Sequence, residues 1–233
     1  EFWFKTTGSN ASVFPLFDLW NGNSSGSIDY TRFLIEKNAS GFRISYCSGT
    51  SGVTNASLAY TADITNWHHY AFSVASASAG LDISLFVDGQ LQSTITTGSA
   101  FTSIANNANS IANIGSYRSG VGYTNGCFDE FRFWKEARNT KNISRYWFTG
   151  VGGGSNTDDS NTELGVYFKF NEGIVDTSSV NSLDAICLDY SGRISNGTIA
   201  NYSVAVRNTG SAIEIYSSNY IETPDPIIFS TNP

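Results

Sequence analysis

Residues 66–91, NWHHYAFSVASASAGLDISLFVDGQL, hold the pattern that decides the fold of this chain. From Tyr70 onward, aromatic and aliphatic residues alternate with small ones, and a second alternating run, LDISLFV, follows shortly after. A period of two is the signature of a strand that is buried on one face. The dipeptide Asp88-Gly89 then supplies a tight turn. The stretch therefore predicts antiparallel strands joined by short reversals of the chain.

The same stretch contains both histidines of the chain, His68 and His69. Consecutive residues on a strand point to opposite faces, so the two rings do not reach one metal ion through regular strand geometry. The three cysteines, Cys47, Cys127 and Cys187, lie in unrelated segments without the close spacing of a zinc site. We therefore expect structural histidines, and cysteines that act as small buried hydrophobic residues.

The composition argues against two classes of partner. Lys and Arg number 13 against 20 Asp and Glu, which gives a formal net charge of -7. A surface that neutralises nucleic-acid phosphates is not expected, and anionic membranes are disfavoured for the same reason. No apolar run approaches the roughly 18 residues of a membrane-spanning helix, so no membrane insertion is expected. Sparse Lys with abundant Ser, Thr, Asn, Gly and Tyr is typical of extracellular or particle-surface β-modules.

Short strand-like runs separated by turn residues recur along the chain, among them EFWFKTT, SVFPLFDLW, TRFLIEKN, FRISYCS and CFDEFRFW. Many short strands without intervening helices predict an all-β fold, an antiparallel two-sheet sandwich. One short helix is expected at residues 141–147, with Thr140 as its N-cap. The side chains expected to be substantially buried are those of Trp67, Phe72, Ile83, Leu85, Val87, Phe131 and Phe133.

Composition divides the chain into three parts. Residues 1–148 carry the sandwich pattern, residues 149–162 (TGVGGGSNTDDSNT) are rich in Gly, Ser, Asn and Asp, and β-rich runs resume over residues 163–233. The middle part lacks the Lys-Ser/Thr and the strand-to-helix context of a phosphate-binding loop, so we expect a linker or long surface loop. The last part either completes the sandwich or begins a further repeat. The side chains expected to pack against the first sandwich or a neighbouring chain are those of Val166, Phe168 and Phe170.

Three segments resemble the laminin-G-like jelly rolls of the concanavalin A-like lectin/glucanase superfamily. EFWFKTT (1–7) is similar to the family's early strand, and residues 66–91 are similar to its central Trp-His-His strand and Asp-Gly hairpin. IGSYRSG followed by GCFDEFRFWKEAR (114–138) is similar to its late strand and short helix. The family's Asp-Glu pair falls on Asp129 and Glu130. The resemblance implies a jelly-roll sandwich over the first part of the chain.

The C-terminal part carries two further resemblances. LGVYFKFNEG and LDYSGRISNGTI look like the stretch that precedes the early strand in many such modules. The runs KFNEG, DYSGRISNGTI and RNTGSAI also resemble large virion structural proteins of marine tailed phages. Together with the composition, these resemblances imply an extracellular or virion-surface location.

The sequence shows no arrangement of catalytic residues. Superfamily members that cleave β-glucans carry a Glu-x-Asp-x-Glu-type string, which places alternate carboxylates of one strand in the cleft. This chain has no such string, because Asp129 and Glu130 are adjacent and Glu136 lies beyond a tryptophan. A nucleophile-elbow motif is also missing. We therefore expect no enzyme activity, and a structural use of Asp129 or Glu130 through turn or backbone hydrogen bonds.

Two loop regions offer the groups that recognise sugars, which are flat aromatic faces for the ring and amides or carboxylates for the hydroxyls. The candidate ligand-binding residues are Trp20, Asn21, Asn23, Asp29 and Tyr30 in the first region, and Asn106, Asn107, Tyr117, Arg118 and Tyr123 in the second. The competing interpretation is that Trp20 belongs to the core and that the Asn side chains shape turns. Calcium is a candidate cofactor, and the available carboxylates are Asp18, Asp29, Asp63 and Asp129.

Two functions stay open at this point. A binding or adhesion module uses its loops to contact a glycan, a cell surface or another protein. A structural or decoration domain of a phage particle contacts sister chains and needs no pocket. A cleft with exposed aromatic side chains favours the binding module, whereas large apolar or edge-strand contacts between chains favour the structural domain.

Overall fold

The computed structural model describes residues 1–61, 63–105, 109–151, 162–172 and 184–203. Within these residues the alternating runs form strands, and one short α-helix, α1 (Thr140–Tyr146), is present. The strands are β1 (Phe2–Thr6), β2 (Val13–Trp20), β3 (Thr31–Asn38), β4 (Gly41–Ser48), β5 (Ser51–Ala59), β6 (His68–Ala77), β7 (Gly80–Val87), β8 (Gln90–Thr97), β9 (Ile111–Ile114), β10 (Gly126–Asp129), β11 (Phe131–Trp134), β12 (Leu164–Phe168), β13 (Ile186–Cys187) and β14 (Gly197–Thr198).

Two five-stranded antiparallel sheets form the sandwich. Sheet I has the strand order β10-β1-β6-β7-β8, and sheet II has the order β5-β4-β3-β2-β9. The Asp88-Gly89 turn joins β7 to β8 as predicted, and both residues have positive φ angles, 48° and 72°. The predicted fold class, an all-β antiparallel jelly-roll sandwich with one short helix, is therefore confirmed.

Apolar side chains from the inner faces of both sheets form one core. Four predicted core residues, Ile83, Leu85, Val87 and Phe131, are fully buried, and Phe72 and Phe133 are half-buried against them. Trp67 differs from these residues because it does not pack against the core. This side chain lies in the turn before β6 and is only half-buried, with the ammonium group of Lys5 5.1 Å from the centre of its ring.

Helix α1 covers part of the outer face of sheet I. Its buried residue Ile143 packs against Ala71 of β6 and Phe86 of β7. The N-cap is Asn139 rather than the predicted Thr140, because the Asn139 side chain accepts a hydrogen bond from the backbone N–H of Asn142 at 2.9 Å. Among the described residues no helix is long and apolar enough to cross a membrane.

Strand β12, in the C-terminal part, pairs antiparallel with β11. The ring of Phe168 stacks on that of Phe131 with centroids 6.3 Å apart, and Phe170 also packs against the core. Val166 lies opposite Phe133 in the same ladder. The division into a body, a linker and an extension stays a prediction, because most of the proposed linker and the runs AIEIYSS and PIIFSTN lie outside the described residues.

Candidate functional site

The outer face of sheet II brings together side chains from both predicted loop regions. Along β3, outward residues alternate with Phe33 and Ile35, which face the core. A bulge in β2 between Pro15 and Phe17 resets the alternation there. Strand β9 then pairs with β2 and places the following loop, residues 115–123, beside the same face. We call this surface the polar face, and its residues are Asp18, Trp20, Tyr30, Arg32, Glu36, Arg43, Tyr117 and Arg118.

Asp18 and Arg32 form the first ion pair of the polar face. Arg32 donates from Nη2 to Asp18 Oδ2 at 2.8 Å, and the backbone N–H of Arg118 donates to the same oxygen at 2.8 Å. The Asp18 side chain is fully buried, whereas that of Arg32 is 21% exposed. Burial raises the pKa of the Asp18 carboxyl, and the two hydrogen bonds oppose that rise. The pair therefore holds one guanidinium in a fixed position at the surface.

Glu36 and Arg43 form a second pair of the same kind. Arg43 donates from Nε to Glu36 Oε2 at 2.8 Å, and the Tyr117 hydroxyl donates to Glu36 Oε1. The Glu36 side chain is buried, whereas that of Arg43 is 30% exposed. The hydrogen bond with Glu36 raises the pKa of Arg43, so this guanidinium stays charged. Burial and the Glu36 carboxylate raise the pKa of Tyr117, so its hydroxyl keeps its proton.

Trp20 is half-buried at the end of β2. Its indole N–H donates to the backbone oxygen of Asn23 at 2.9 Å, and the Arg32 guanidinium lies 5.2 Å from its ring centre. Trp20 is absent from the core, so the competing interpretation was wrong for this residue. The indole N–H is already bonded within the chain. Trp20 therefore presents an apolar ring face beside a cation at the surface.

The neighbouring candidates Asn21, Asn23 and Asp29 hold the loop that follows Trp20. Asn21 donates to the backbone oxygen of Asp29 at 2.5 Å, and Asn23 donates to the same oxygen at 3.0 Å. These bonds fit the competing interpretation that the Asn side chains shape a turn. Tyr30, which follows this loop, is buried and continues the outward row of β3. A ligand-binding role for these residues stays a prediction.

The second region is divided in the structure. Asn106 and Asn107 lie outside the described residues. Tyr117 and Arg118 belong to the polar face, whereas Tyr123 is 74% exposed at the far side of their loop. A backbone hydrogen bond from Tyr117 to Gly122 and another from Thr124 to Gly115 close this loop.

A groove of about 260 Å³ adjoins the polar face at the end where β3 begins. It lies between the loop after β2 and the β4–β5 turn, and small or hydroxyl-bearing side chains surround it. Its lining includes Ser25, Tyr30, Cys47, Thr50, Ser51 and Thr54. Since Cys47 lies opposite Arg32 in the β3–β4 ladder, the groove extends the same surface.

The histidine pair makes contacts within the chain, which agree with the structural role that we expect from the sequence. The Nδ1 atom of His68 lies 2.6 Å from Asp88 Oδ2, and the backbone N–H of His69 donates to Asp88 Oδ1 at 2.9 Å. His69 is buried beside Trp3, and burial lowers the pKa of its ring. The His68 ring and the backbone of His69 therefore join the start of β6 to the β7–β8 turn.

The candidate calcium ligands do not come together. Asp18 lies on sheet II and is paired with Arg32, and Asp63 is exposed and accepts hydrogen bonds from Thr65 and Asn66. Among the described residues no group of three or more His, Cys, Asp or Glu side chains is arranged to hold a metal ion.

The Asp-Glu pair takes part in the internal structure of the chain. Asp129 Oδ1 accepts the backbone N–H of Glu130 at 3.0 Å, which is the predicted turn bond. Glu130 is bonded to side chains. Its Oε2 accepts from Arg132 Nη2 at 2.9 Å and from the hydroxyl of Tyr167 in β12. This buried group joins β11 to β12.

Four residues of the polar face were not predicted as ligand-binding residues, namely Asp18, Arg32, Glu36 and Arg43, although Asp18 was considered as a calcium ligand. The signal was present in the run TRFLIEKN, where Arg32 and Glu36 have the opposite parity to the core residues Phe33 and Ile35. Charged residues that alternate with core residues face outward on a strand.

We expect Tyr117→Phe to destabilise the chain by about 1 to 3 kcal/mol, because it leaves a buried oxygen of Glu36 without its donor. Tyr123→Phe removes the same atom from an exposed ring and is expected to change the free energy of unfolding by less than about 0.5 kcal/mol. Urea unfolding of both variants and the parent chain measures the difference. Equal midpoints for the two variants would show that the Tyr117 hydroxyl does not hold its loop on sheet II.

Comparison with known families agrees with this architecture. The sequence profile of the family Laminin G 3, described as concanavalin A-like lectin/glucanases superfamily, matches residues 1–144. The chain belongs to this family, and the resemblance seen in its sequence is confirmed.

No curated protein matches the chain. Among solved structures, it is similar to a crystal structure at 1.50 Å resolution of a candidate carbohydrate-binding protein from Bacteroides ovatus ATCC 8483. The sequence identity is 15% and the TM-score is 0.42. The alignment covers 88% of this chain and 60% of that chain, so the chain spans about three fifths of its relative's length.

Proposed function

We propose that this chain is a non-catalytic carbohydrate-binding module that holds an oligosaccharide across the polar face. The observation that carries the proposal is the arrangement of Arg32 and Arg43. Both guanidiniums are partly exposed, and each is held by a buried carboxylate. Donors fixed in this way lose little conformational entropy when a ligand binds. The ring of Trp20 beside them provides an apolar surface for a sugar ring.

The same pairs argue against hydrolysis. A glycosidase needs one carboxylic acid that protonates the leaving oxygen and a second carboxylate that acts as nucleophile or base. Asp18 and Glu36 are buried, and each is engaged by an arginine. Glu130 is buried and bonded to Arg132 and Tyr167. These carboxylates act by positioning cations, which suits binding rather than catalysis.

The location and the wider role of the module are also proposals. An extracellular or virion-surface location and a role in adhesion fit the Ser-, Thr- and Asn-rich composition with sparse Lys. The alternative is a decoration domain of a phage particle that contacts sister chains. Sedimentation of the purified chain, combined with the glycan-binding measurement, distinguishes these roles. A monomer that binds glycan fits the adhesion module, whereas an oligomer that does not bind glycan fits the decoration domain.

A glycan array followed by NMR tests the proposed function. We expect the array to identify at least one oligosaccharide that binds, and this oligosaccharide is then titrated into ¹⁵N-labelled chain. Amide signals from β2, β3, β4 and residues 115–123 are expected to shift, while signals from β7 and β8 in sheet I serve as the internal control. Shifts confined to sheet I, or the absence of any binding oligosaccharide, would contradict the proposal.

A further inference from the structure

We infer that the polar face selects acidic oligosaccharides and that the guanidinium of Arg118 receives the acidic group. This inference rests on the proposed function and names the class of sugar. It starts from the charges of the polar face, which contains three arginines and two carboxylates. The whole chain, in contrast, has a formal net charge of -7. The face therefore has a local excess of positive charge on an acidic molecule.

Arg118 supplies that excess. Arg32 is paired with Asp18, and Arg43 is paired with Glu36. Within the part of the chain that the structure describes, the ion pairs of the polar face are those of Arg32 and Arg43, and the Arg118 guanidinium has no carboxylate within ion-pair distance. A guanidinium without a carboxylate partner, beside two that are paired with carboxylates, favours an external anion.

The backbone positions Arg118 for this role. Its N–H donates to Asp18 Oδ2 at 2.8 Å, so the residue is fixed to sheet II independently of its side chain. The preceding residue, Tyr117, is fixed by the Glu36 carboxylate. A planar guanidinium on such a base can bind a carboxylate or sulfate through two parallel hydrogen bonds. The neighbouring Trp20 and Arg32 remain available for the sugar ring and its hydroxyls.

Matched pairs of oligosaccharides test this inference. The probes are oligouronates with their carboxyl-reduced forms, sialylated glycans with their desialylated forms, and sulfated glycans with their desulfated forms. We expect the acidic member of at least one pair to bind roughly 10-fold or more tightly than its neutral partner, which is typical of a charge-assisted hydrogen bond. Arg118→Gln is expected to abolish that preference, so that the acidic and neutral members of the pair bind this variant equally.

The control is Arg145→Gln, which removes the same charge from an exposed position on α1, the helix that packs on sheet I. It is expected to keep the preference. The inference is overturned if neutral members bind as tightly as acidic ones, or if Arg118→Gln keeps the preference, and in both cases glycan binding itself still stands. Binding of no pair, when another oligosaccharide on the array does bind, overturns the inference alone, and binding of no oligosaccharide at all overturns the proposed function as well.

Discussion

Glu130→Gln is expected to destabilise this chain by about 3 to 5 kcal/mol, the usual cost of removing one partner from a buried ion pair. The substitution keeps the shape of the side chain and removes its charge. Arg132, which is 1% exposed, then loses the carboxylate that lies 2.9 Å from its Nη2 atom. The Tyr167 hydroxyl loses the charged acceptor that joins β12 to the sandwich. Differential scanning calorimetry measures the effect, and a decrease of roughly 6 to 15 °C in Tm is expected for a chain of this size.

Glu136→Gln is the matched control for this substitution. Glu136 is exposed, so its change is expected to shift the free energy of unfolding by less than about 0.5 kcal/mol. A Tm for Glu130→Gln within about 1 °C of that of the control would contradict a structural role for the buried pair. In that case Glu130 becomes a candidate for another role, and the absence of catalysis has to be tested directly with glycoside substrates.

The fold was predictable because its signal is local. A strand buried on one face repeats every two residues, so runs such as HHYAFSV and DISLFVD reveal their inner face without any partner strand. The Asp88-Gly89 dipeptide marks the point at which the chain reverses and the next antiparallel strand begins. The prediction of the fold does not depend on every residue of the pattern, because a sandwich forms whether or not a turn residue such as Trp67 packs in the core.

The candidate site was only partly predictable because its residues depend on geometry that spacing does not reveal. The bulge between Pro15 and Phe17 puts Leu16 and Phe17 both in the core and leaves Asp18 facing outward. A strict alternation along β2 does not give this result. Tyr117 reaches Glu36 across 81 residues of sequence, and only the folded loop brings the two together.

The prediction of ligand-binding residues relied on residue type. Asn and Asp in loops are common sugar ligands, but Asn21 and Asn23 bond to the backbone of their own loop. In the sequence, an arginine on a strand cannot be told from an ordinary solvent-exposed charge. Arg32 and Arg43 differ from such charges because the buried carboxylates of Asp18 and Glu36 hold them in place, and only the structure shows these pairs.

Trp20→Ala has the largest effect expected on function. An aromatic side chain that anchors a ligand contributes about 2 kcal/mol or more, which corresponds to a roughly 30-fold loss of affinity when it is removed. The substitution leaves the Asp18–Arg32 and Glu36–Arg43 pairs in place, so the polar face keeps its fixed donors. Trp67→Ala is the matched control, because Trp67 is also half-buried but lies beside Lys5 of sheet I, away from the polar face.

Isothermal titration of these two variants and the parent chain, with the oligosaccharide that binds best on the array, tests the claim that the polar face binds glycan most directly. A melting curve for each variant first establishes that it is folded. We predict that Trp20→Ala loses at least about 30-fold in affinity while Trp67→Ala binds like the parent chain. Unchanged binding by a folded Trp20→Ala variant, or an equal loss in both variants, would contradict the assignment of the polar face as the glycan site.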